Sequence, residues 1–201
     1  MKIKQIFSLI LLGFCTLLFS QSEVNNNIPK VFTKFRINYN LKKFNGDNFL
    51  SKAHNPSYQG IHFSFLIIEF KKIGLGVSYE TNGSKVTHPE KVGNFNTISL
   101  NHYAGFISYE FEVAKSKFSV TPKFEIGDCK AKQKGNGFYA FNNGNYFGIS
   151  SQINYNISKK FAVYTSVGYN FYTFKVNTTE EAKSFFNKSN SLNLSLGIQF
   201  L

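Results

Sequence analysis

Residues 192–200 read LNLSLGIQF, with an apolar side chain at every second position and a small or polar one between. Successive side chains of a β-strand point to opposite faces, so the segment predicts a strand with one apolar and one polar face. A helix would scatter the same apolar residues around its axis. Seven further stretches alternate in this way and are rich in β-branched and aromatic residues. The sequence therefore predicts an all-β chain of eight strands.

Glycine recurs on or near the less apolar face of the predicted strands. The glycines are Gly60, Gly74, Gly76, Gly105, Gly127, Gly148, Gly168 and Gly197. A secreted soluble barrel of the lipocalin type, the alternative at the level of the fold, would expose this face and favour Lys, Glu and Thr there. Small residues suit the narrow lumen of an eight-stranded barrel, and a closed barrel can enter a bilayer because closure pairs every backbone group. We therefore expect an eight-stranded antiparallel up-and-down transmembrane barrel with its polar face inwards.

The first twenty residues have the layout of a secretory signal peptide. Lys2 and Lys4 precede an apolar run of about fourteen residues, and Ser20 supplies a small residue at its end. The run is shorter than the roughly 20 residues that a spanning helix needs. We divide the chain into a signal peptide (1–20), a flexible segment (21–29) and a barrel domain (30–201).

The connections between the predicted strands alternate in length. Short turns fall at residues 71–72, 112–116 and 158–160, and long loops at 40–57, 82–96, 128–145 and 175–190. Short turns on one rim and long loops on the other are typical of bacterial outer-membrane barrels. An even number of strands then places both termini on the periplasmic side and the long loops outside the cell.

Aromatic residues near the strand ends predict girdles of the kind found where lipid meets water. At the long-loop ends they are Tyr39, Tyr58, Tyr79, Tyr146 and Tyr172, and at the short-turn ends Tyr109, Tyr155, Phe161 and Phe200.

Two strands depart from the pattern. Between Thr97 and Phe111 the apolar residues change face, which predicts a β-bulge near residues 101–104. Pro122 removes a ladder hydrogen bond from the next strand, so we expect a local distortion there.

With these features the chain resembles the small eight-stranded outer-membrane proteins of the OmpA-barrel and OmpX type, especially the outer membrane beta-barrel proteins common in Bacteroidota. The resemblance covers residues 30–201 and rests on the signal peptide, strand count, loop alternation and closing segment. It implies a bacterial outer-membrane protein in contact with lipopolysaccharide, inserted by the barrel assembly machinery. The insertion signal would be Leu196, Ile198 and Phe200. Such a signal usually ends on an aromatic residue, whereas here Leu201 follows Phe200.

Five charged residues fall on the polar face of the predicted strands. They are Lys34, Arg36, Glu80, Lys123 and Glu125. Charges withdrawn from bulk water must be paired, so we interpret them as a salt-bridge network that braces a plugged lumen. The alternative is a narrow channel or a carrier of a small ligand.

His62 and Ser64 share a face of one predicted strand, and a His and a Ser in this relation serve some outer-membrane enzymes that modify lipid. Here both fall on the lumen face, so we interpret them as polar filling and expect no enzyme. An outer-membrane enzyme that modifies lipid is the first alternative function. His54, His88 and His102 lack metal-ligand spacing. We expect neither a metal nor a cofactor.

The net charge of +12 favours acidic partners in general. The third long loop carries the candidate contact residues Lys130, Lys132, Lys134, Phe138, Tyr139 and Phe141. Lipopolysaccharide phosphates are the nearest acidic groups, although solvation alone would explain the lysines equally well. Nucleic acid is not expected, because no binding motif for it is present. We predict a structural or surface-interaction role in envelope integrity, adhesion or recognition, with an extracellular partner that the sequence does not name.

Overall fold

The computed structural model describes residues 28–113 and 116–200, and β-strands dominate both segments. The strands are β1 (Lys30–Asn45), β2 (Ser57–Phe70), β3 (Ile73–Lys85), β4 (Phe95–Tyr109), β5 (Phe111–Glu112), β6 (Phe118–Gly135), β7 (Tyr139–Asn156), β8 (Phe161–Lys175) and β9 (Lys188–Phe200). Between them lie α1 (Phe49–Lys52), a 3-10 turn (Pro89–Lys91) and α2 (Glu180–Asn187). The proposed signal peptide and residues 21–27 lie outside the described residues.

The strands close into a barrel. Each long strand pairs antiparallel with its neighbours, and β1 pairs with β9 from Phe35 opposite Phe200 to Asn45 opposite Asn190. β4 pairs with β6 along most of its length. The two-residue β5 follows β4 and pairs with the first residues of β6. The fold is a closed up-and-down barrel of eight long strands, which confirms the predicted fold class. Its upper end carries the connections β1–β2, β3–β4, β6–β7 and β8–β9, and its lower end carries the short turns β2–β3, β4–β6 and β7–β8.

Burial alternates along the strands with a period of two. On β9, Leu192, Leu194 and Leu196 are exposed, whereas Ser191 and Gln199 are fully buried. The apolar face therefore points outwards and the polar face points into the lumen. This is the reverse of a barrel that folds in water, and it is the arrangement of strands that face lipid.

The predicted bulge near residues 101–104 is wrong. β4 pairs with both β3 and β6 without a register shift from Thr97 to Ser108. Ile98 and Leu100 face inwards because the upper part of the lumen is itself apolar, so both faces of β4 carry apolar residues. Gly105 therefore lies on the outward face rather than the polar one.

Pro122 lies where β6 changes partner. The pairing of β6 with β4 ends at Lys123, and the pairing with β5 begins at Val120. On its other edge β6 pairs with β7 through this point, with Pro122 opposite Ser151. The missing N–H of Pro122 thus falls in the interval between the β4 and β5 pairings, and the register of β6 with β7 is unchanged.

Three of the tyrosines predicted for the upper girdle face the lumen instead. Tyr58, Tyr146 and Tyr172 are 0%, 4% and 1% exposed, so that prediction is wrong for them. The prediction used the position of these tyrosines near a strand end and did not consider which face of the strand they occupy. Tyr146 precedes Gly148 by two residues and Tyr172 follows Asn170 by two, which puts both in phase with the polar face.

An apolar cap closes the upper end of the lumen. Asn48 caps the first turn of α1, and this turn carries Phe49 and Leu50 inwards, where both are fully buried. The Phe49 ring lies 5.4 Å from the ring of Phe174 on β8 and 5.4 Å from that of Phe186 on α2. The first and last of the predicted long loops thus supply the apolar cap of the barrel.

The connection between β6 and β7 is a protruding hairpin rather than a long loop. The two strands pair without interruption up to Lys134 opposite Tyr139, which leaves a turn of residues 136–138. The sequence prediction of a loop over 128–145 is wrong here. Lysines and asparagines replace the apolar residues above the lipid-facing part, so the alternation disappears although the strand pairing continues.

Candidate functional site

Two features of the barrel could carry a function: the charged lumen and the outward face of the β6–β7 hairpin. In the lower lumen, Lys34 lies between Glu110 and Glu69, with 3.0 Å from its Nζ to the Glu69 carboxylate. The Nε of Arg36 donates a hydrogen bond to the Oε1 of Gln199 at 2.5 Å. Both cations are buried, so they depend on these partners in place of water.

Glu125 is the acceptor at the middle of the lumen. Its carboxylate receives hydrogen bonds from the Oγ of Ser78 at 2.7 Å and the hydroxyl of Tyr146 at 3.2 Å. The Nζ of Lys123 lies 3.1 Å away, and the Nε2 of His62 lies at 3.7 Å. Four side chains from four strands therefore converge on one carboxylate.

Lys42 and Glu80 form the upper ion pair. Lys42 also donates to the hydroxyl of Tyr172 at 3.0 Å. The Nδ1 of His102 lies 3.5 Å from Glu80, and its ring is stacked on that of Tyr146 at 4.6 Å. This layer connects the ionic lumen below to the apolar cap above.

The lumen network has equal numbers of cations and carboxylates. They are Lys34, Arg36, Lys42 and Lys123, with Glu69, Glu80, Glu110 and Glu125. All five lumen residues named from the sequence lie in it. Sequence reasoning missed Lys42 because it assigned residues 40–57 to a loop, and it missed Glu69 and Glu110 because they lie at strand ends. The phase of Lys42, six residues after Arg36, would have identified it.

His62 and Ser64 are both buried in the lumen wall, so the barrel separates them from the outer surface. The Nδ1 of His62 lies 3.0 Å from the side-chain nitrogen of Asn38. Within the described segments, the Ser64 hydroxyl makes no hydrogen bond and therefore has no base next to it. The geometry does not assemble a hydrolytic site facing lipid.

His54 holds α1, which carries the cap residues Phe49 and Leu50, in place. Its Nδ1–H donates to the carbonyl oxygen of Phe49 at 2.8 Å, and the amide nitrogen of Gln133 lies 3.3 Å from its Nε2. Burial lowers the pKa of His54 to about 4, so the ring is neutral at pH 7. Across residues 28–113 and 116–200, no group of three or more His, Cys, Asp and Glu could hold a metal ion. In the same residues, no helix is long and apolar enough to cross a membrane.

The outward face of the β6–β7 hairpin brings lysines and aromatic rings together. The Nζ of Lys130 lies 4.3 Å from the centre of the Phe141 ring, and that of Lys132 lies 4.3 Å from the centre of the Tyr139 ring. Lys134 is opposite Tyr139 in the strand register. These five residues form what we call the lysine-aromatic face.

Phe138, the sixth candidate contact residue, is not part of this face. It lies at the hairpin turn, with its ring 5.0 Å from that of Phe95. Among the ion pairs of the described residues, none involves Lys130, Lys132 or Lys134. The three ammonium groups thus remain available to an external anion.

The fold is that of the small eight-stranded outer-membrane barrels. Neisserial surface protein A superposes with a TM-score of 0.62 at 15% identity, over 86% of this chain and 97% of that one. Ail, the attachment invasion locus protein of Yersinia pestis, superposes with a TM-score of 0.53 at 13% identity, over 85% of this chain and 99% of that one. No protein-family model matches the chain, and no curated protein matches it in sequence.

Proposed function

We propose that the chain is an integral protein of the bacterial outer membrane that acts through its outer surface and not through its lumen. The paired charges of the lumen carry this proposal, because they fill it from Lys34 at the lower end to the Lys42–Glu80 pair beneath the cap. Phe49 and Leu50 close the remaining opening. The role that fits is structural or interactive: envelope integrity, adhesion or recognition.

The lumen network is proposed as a brace. Lys34, Arg36 and Lys42 each have an acidic or amide partner on another strand, so these pairs cross-link the wall of the barrel. Lys123 pairs with Glu125 on its own strand. Breaking one partner of such a pair leaves a buried charge, which costs about 3–5 kcal/mol. An ion path would instead need sites from which an ion can leave. An enzyme acting on lipid finds no support in His62 and Ser64, which face away from lipid.

Single-channel recording tests the closed lumen. The refolded protein in a planar bilayer should give no stable conductance steps, while a porin inserted in the same bilayer shows that the assay detects open pores. Reproducible unitary steps from the wild-type protein would refute the closed lumen and favour the narrow channel.

Surface labelling tests the location and the orientation together. We propose that both termini face the periplasm and that the upper end faces outwards. Cys129 is buried, so a new cysteine is the reactive thiol among the described residues. On intact cells a membrane-impermeant maleimide should label Asn136→Cys at the hairpin turn, whereas Lys159→Cys at the lower rim should react only after lysis. The reverse pattern would contradict the orientation, and recovery of the protein in the soluble fraction would contradict the location.

A further inference from the structure

We propose that the lysine-aromatic face binds the phosphorylated sugar head group of the glycolipid that surrounds the barrel. This inference deepens the proposed function, since it names the partner of the outer surface. It rests on three observations: the height of the face above the lipid-facing residues, its sideways direction, and the pairing of ammonium groups with aromatic rings.

The height follows from the strand register. Tyr103 on β4 lies opposite Asp128 on β6, is exposed, and has its ring 4.8 Å from that of Tyr79. Outward tyrosines of this kind mark the boundary of the hydrocarbon layer. Lys130 is two residues further along β6 than Asp128. A tilted strand rises roughly 5 Å along the barrel axis for every two residues.

The three lysines therefore lie roughly 5, 10 and 15 Å above the tyrosine boundary. The head-group layer of a bilayer is roughly 5–8 Å thick on each side. Lys130 falls within that layer, Lys132 lies just above it, and Lys134 lies roughly 7–10 Å above it, at the height of the inner sugars. Phosphorylated sugars of an outer-leaflet glycolipid occupy this range of depth.

The direction of the face favours a lipid in the surrounding membrane over a partner arriving from solution. Lys130, Lys132 and Lys134 alternate with the inward-facing Ala131 and Gln133, so they project from the barrel wall rather than from its tip. A neighbouring head group meets this wall from the side. A large soluble partner would instead meet the turn at residues 136–138 first.

The chemistry of the face matches a sugar phosphate. Ammonium groups bind phosphate oxygens, and flat aromatic rings accept the apolar side of a sugar ring. The Phe141 and Tyr139 rings already hold the Lys130 and Lys132 ammonium groups at 4.3 Å, which limits their freedom before a ligand arrives. The flanking outward residues of β4, Ser99 and Asn101, are neutral hydrogen-bonding groups.

The test compares lipids that differ only in phosphate. The refolded protein in mild detergent is titrated with rough lipopolysaccharide that carries phosphates on both its lipid A and its inner core sugars, and with the same lipid after phosphatase treatment. Native mass spectrometry counts the bound lipid. Each lysine near an anionic surface contributes roughly a fivefold gain in affinity, so the triple variant Lys130→Gln, Lys132→Gln, Lys134→Gln should bind about a hundredfold more weakly. The wild-type protein should lose most of its binding when the phosphates are removed.

The matched control removes the same charge from the other rim, as Lys117→Gln, Lys159→Gln, Lys160→Gln, and should bind like the wild type. Phe141→Leu keeps an apolar side chain without the ring, and should weaken binding while leaving heat-modifiable gel migration, a measure of folding, unchanged. Equal lipid binding by both triple variants would overturn the proposal.

A second arm tests the other class of partner. If a soluble sulfated oligosaccharide binds through the three lysines and the lipid does not, the lipid assignment fails while a surface role stands. If the lipid assignment fails and conductance steps are also found, the proposed function fails as well. The two failures are thus distinguishable.

Discussion

Gly60 shows how closely neighbouring strands approach in this barrel. A Cβ at this position would overlap the carbonyl oxygen of Thr81 on β3. The obstacle is backbone, so no rotamer change relieves it and the strands themselves would have to separate. Glycine at this lumen position is therefore required by the distance between two strands.

We predict that Gly60→Ala destabilises the barrel by about 1–3 kcal/mol, the usual cost of overpacking. The measurement is the urea midpoint of unfolding in detergent, followed by heat-modifiable gel migration. Gly83→Ala is the matched control on the same pair of strands, because the nearest atom to its Cβ would be the Ile98 carbonyl oxygen at an ordinary 3.7 Å. Equal midpoints for the two variants would contradict the steric explanation.

The two-residue turn between β2 and β3 is built from residues that disfavour its backbone conformation. Lys71 has φ 47° and Lys72 has φ 70°, so both occupy the left-handed region. A hairpin turn with positive φ at both central positions favours Asn and Gly. We expect Lys72→Gly to stabilise the barrel by about 1 kcal/mol, since a side chain is disfavoured there.

Urea unfolding measures this change. Lys160→Gly is its control on the same rim, because Lys160 is an exposed turn residue without a positive φ. That variant should gain nothing, and it should lose a little stability through the greater freedom of glycine in the unfolded chain. An equal gain in both variants would show that turn conformation is not the cause.

The cap should loosen in acid. Burial lowers the pKa of His54 to about 4 from an ordinary value near 6.5, so the closed cap prefers the neutral ring. As pH falls from 6.5 to 4, an opened cap binds a proton that the closed one excludes, and the cap loses up to ~3 kcal/mol. Hydrogen exchange of the α1 amides, corrected for intrinsic rates, should rise over this window.

Two histidine variants identify the group responsible. His54→Gln keeps a donor and an acceptor but does not titrate, so its cap should show no such acid opening. His88→Gln changes an exposed histidine next to Glu90 and should behave like the wild type. Acid opening that persists in His54→Gln would assign the effect to another group.

The last strand, β9, closes the barrel by pairing with β1. Phe200 lies opposite Phe35 on β1 and Phe161 on β8, with ring centres 6.3 and 5.6 Å apart. Leu196, Ile198 and Phe200 share its outward face, and we propose them as the signal read during assembly. Phe200→Ala should reduce the amount of folded barrel in cells, measured by heat-modifiable migration of the membrane fraction.

Phe118→Ala separates the signal from ordinary packing. Phe118 is an outward aromatic residue at the same rim, with its ring 5.0 Å from Tyr155, but it lies on β6. Both variants should refold equally well in detergent, and only Phe200→Ala should assemble poorly in cells. A similar loss in cells for both would leave Phe200 as a packing residue.

The period of two predicted most of this molecule, because a strand between lipid and a polar lumen must alternate. It gave the strand count and the inward direction of Arg36 and Glu125. The pattern failed where the lumen is no longer polar or where the outer face no longer meets lipid. β4 enters an apolar part of the lumen, and the β6–β7 hairpin extends above the lipid, so in each place the contrast between the two faces disappears.

The candidate site was predictable in its residues and not in its geometry. The sequence named Lys130, Lys132 and Lys134 with Tyr139 and Phe141, yet it placed them on a loop. Their spacing of two residues indicates a shared strand face once pairing is known. That pairing is set by contacts between distant segments, which a local pattern does not contain.

The hydrogen bond between Arg36 and Gln199 joins side chains 163 residues apart, on the first and last strands. It cannot form while the sheet is open, and the pair of Lys34 with Glu110, 76 residues apart, needs the curvature that closure brings. Until β9 meets β1, these groups keep their hydration shells. Closure therefore replaces water by protein partners across the whole lumen at once, so the lumen network stabilises the closed barrel and gives nothing to an open sheet.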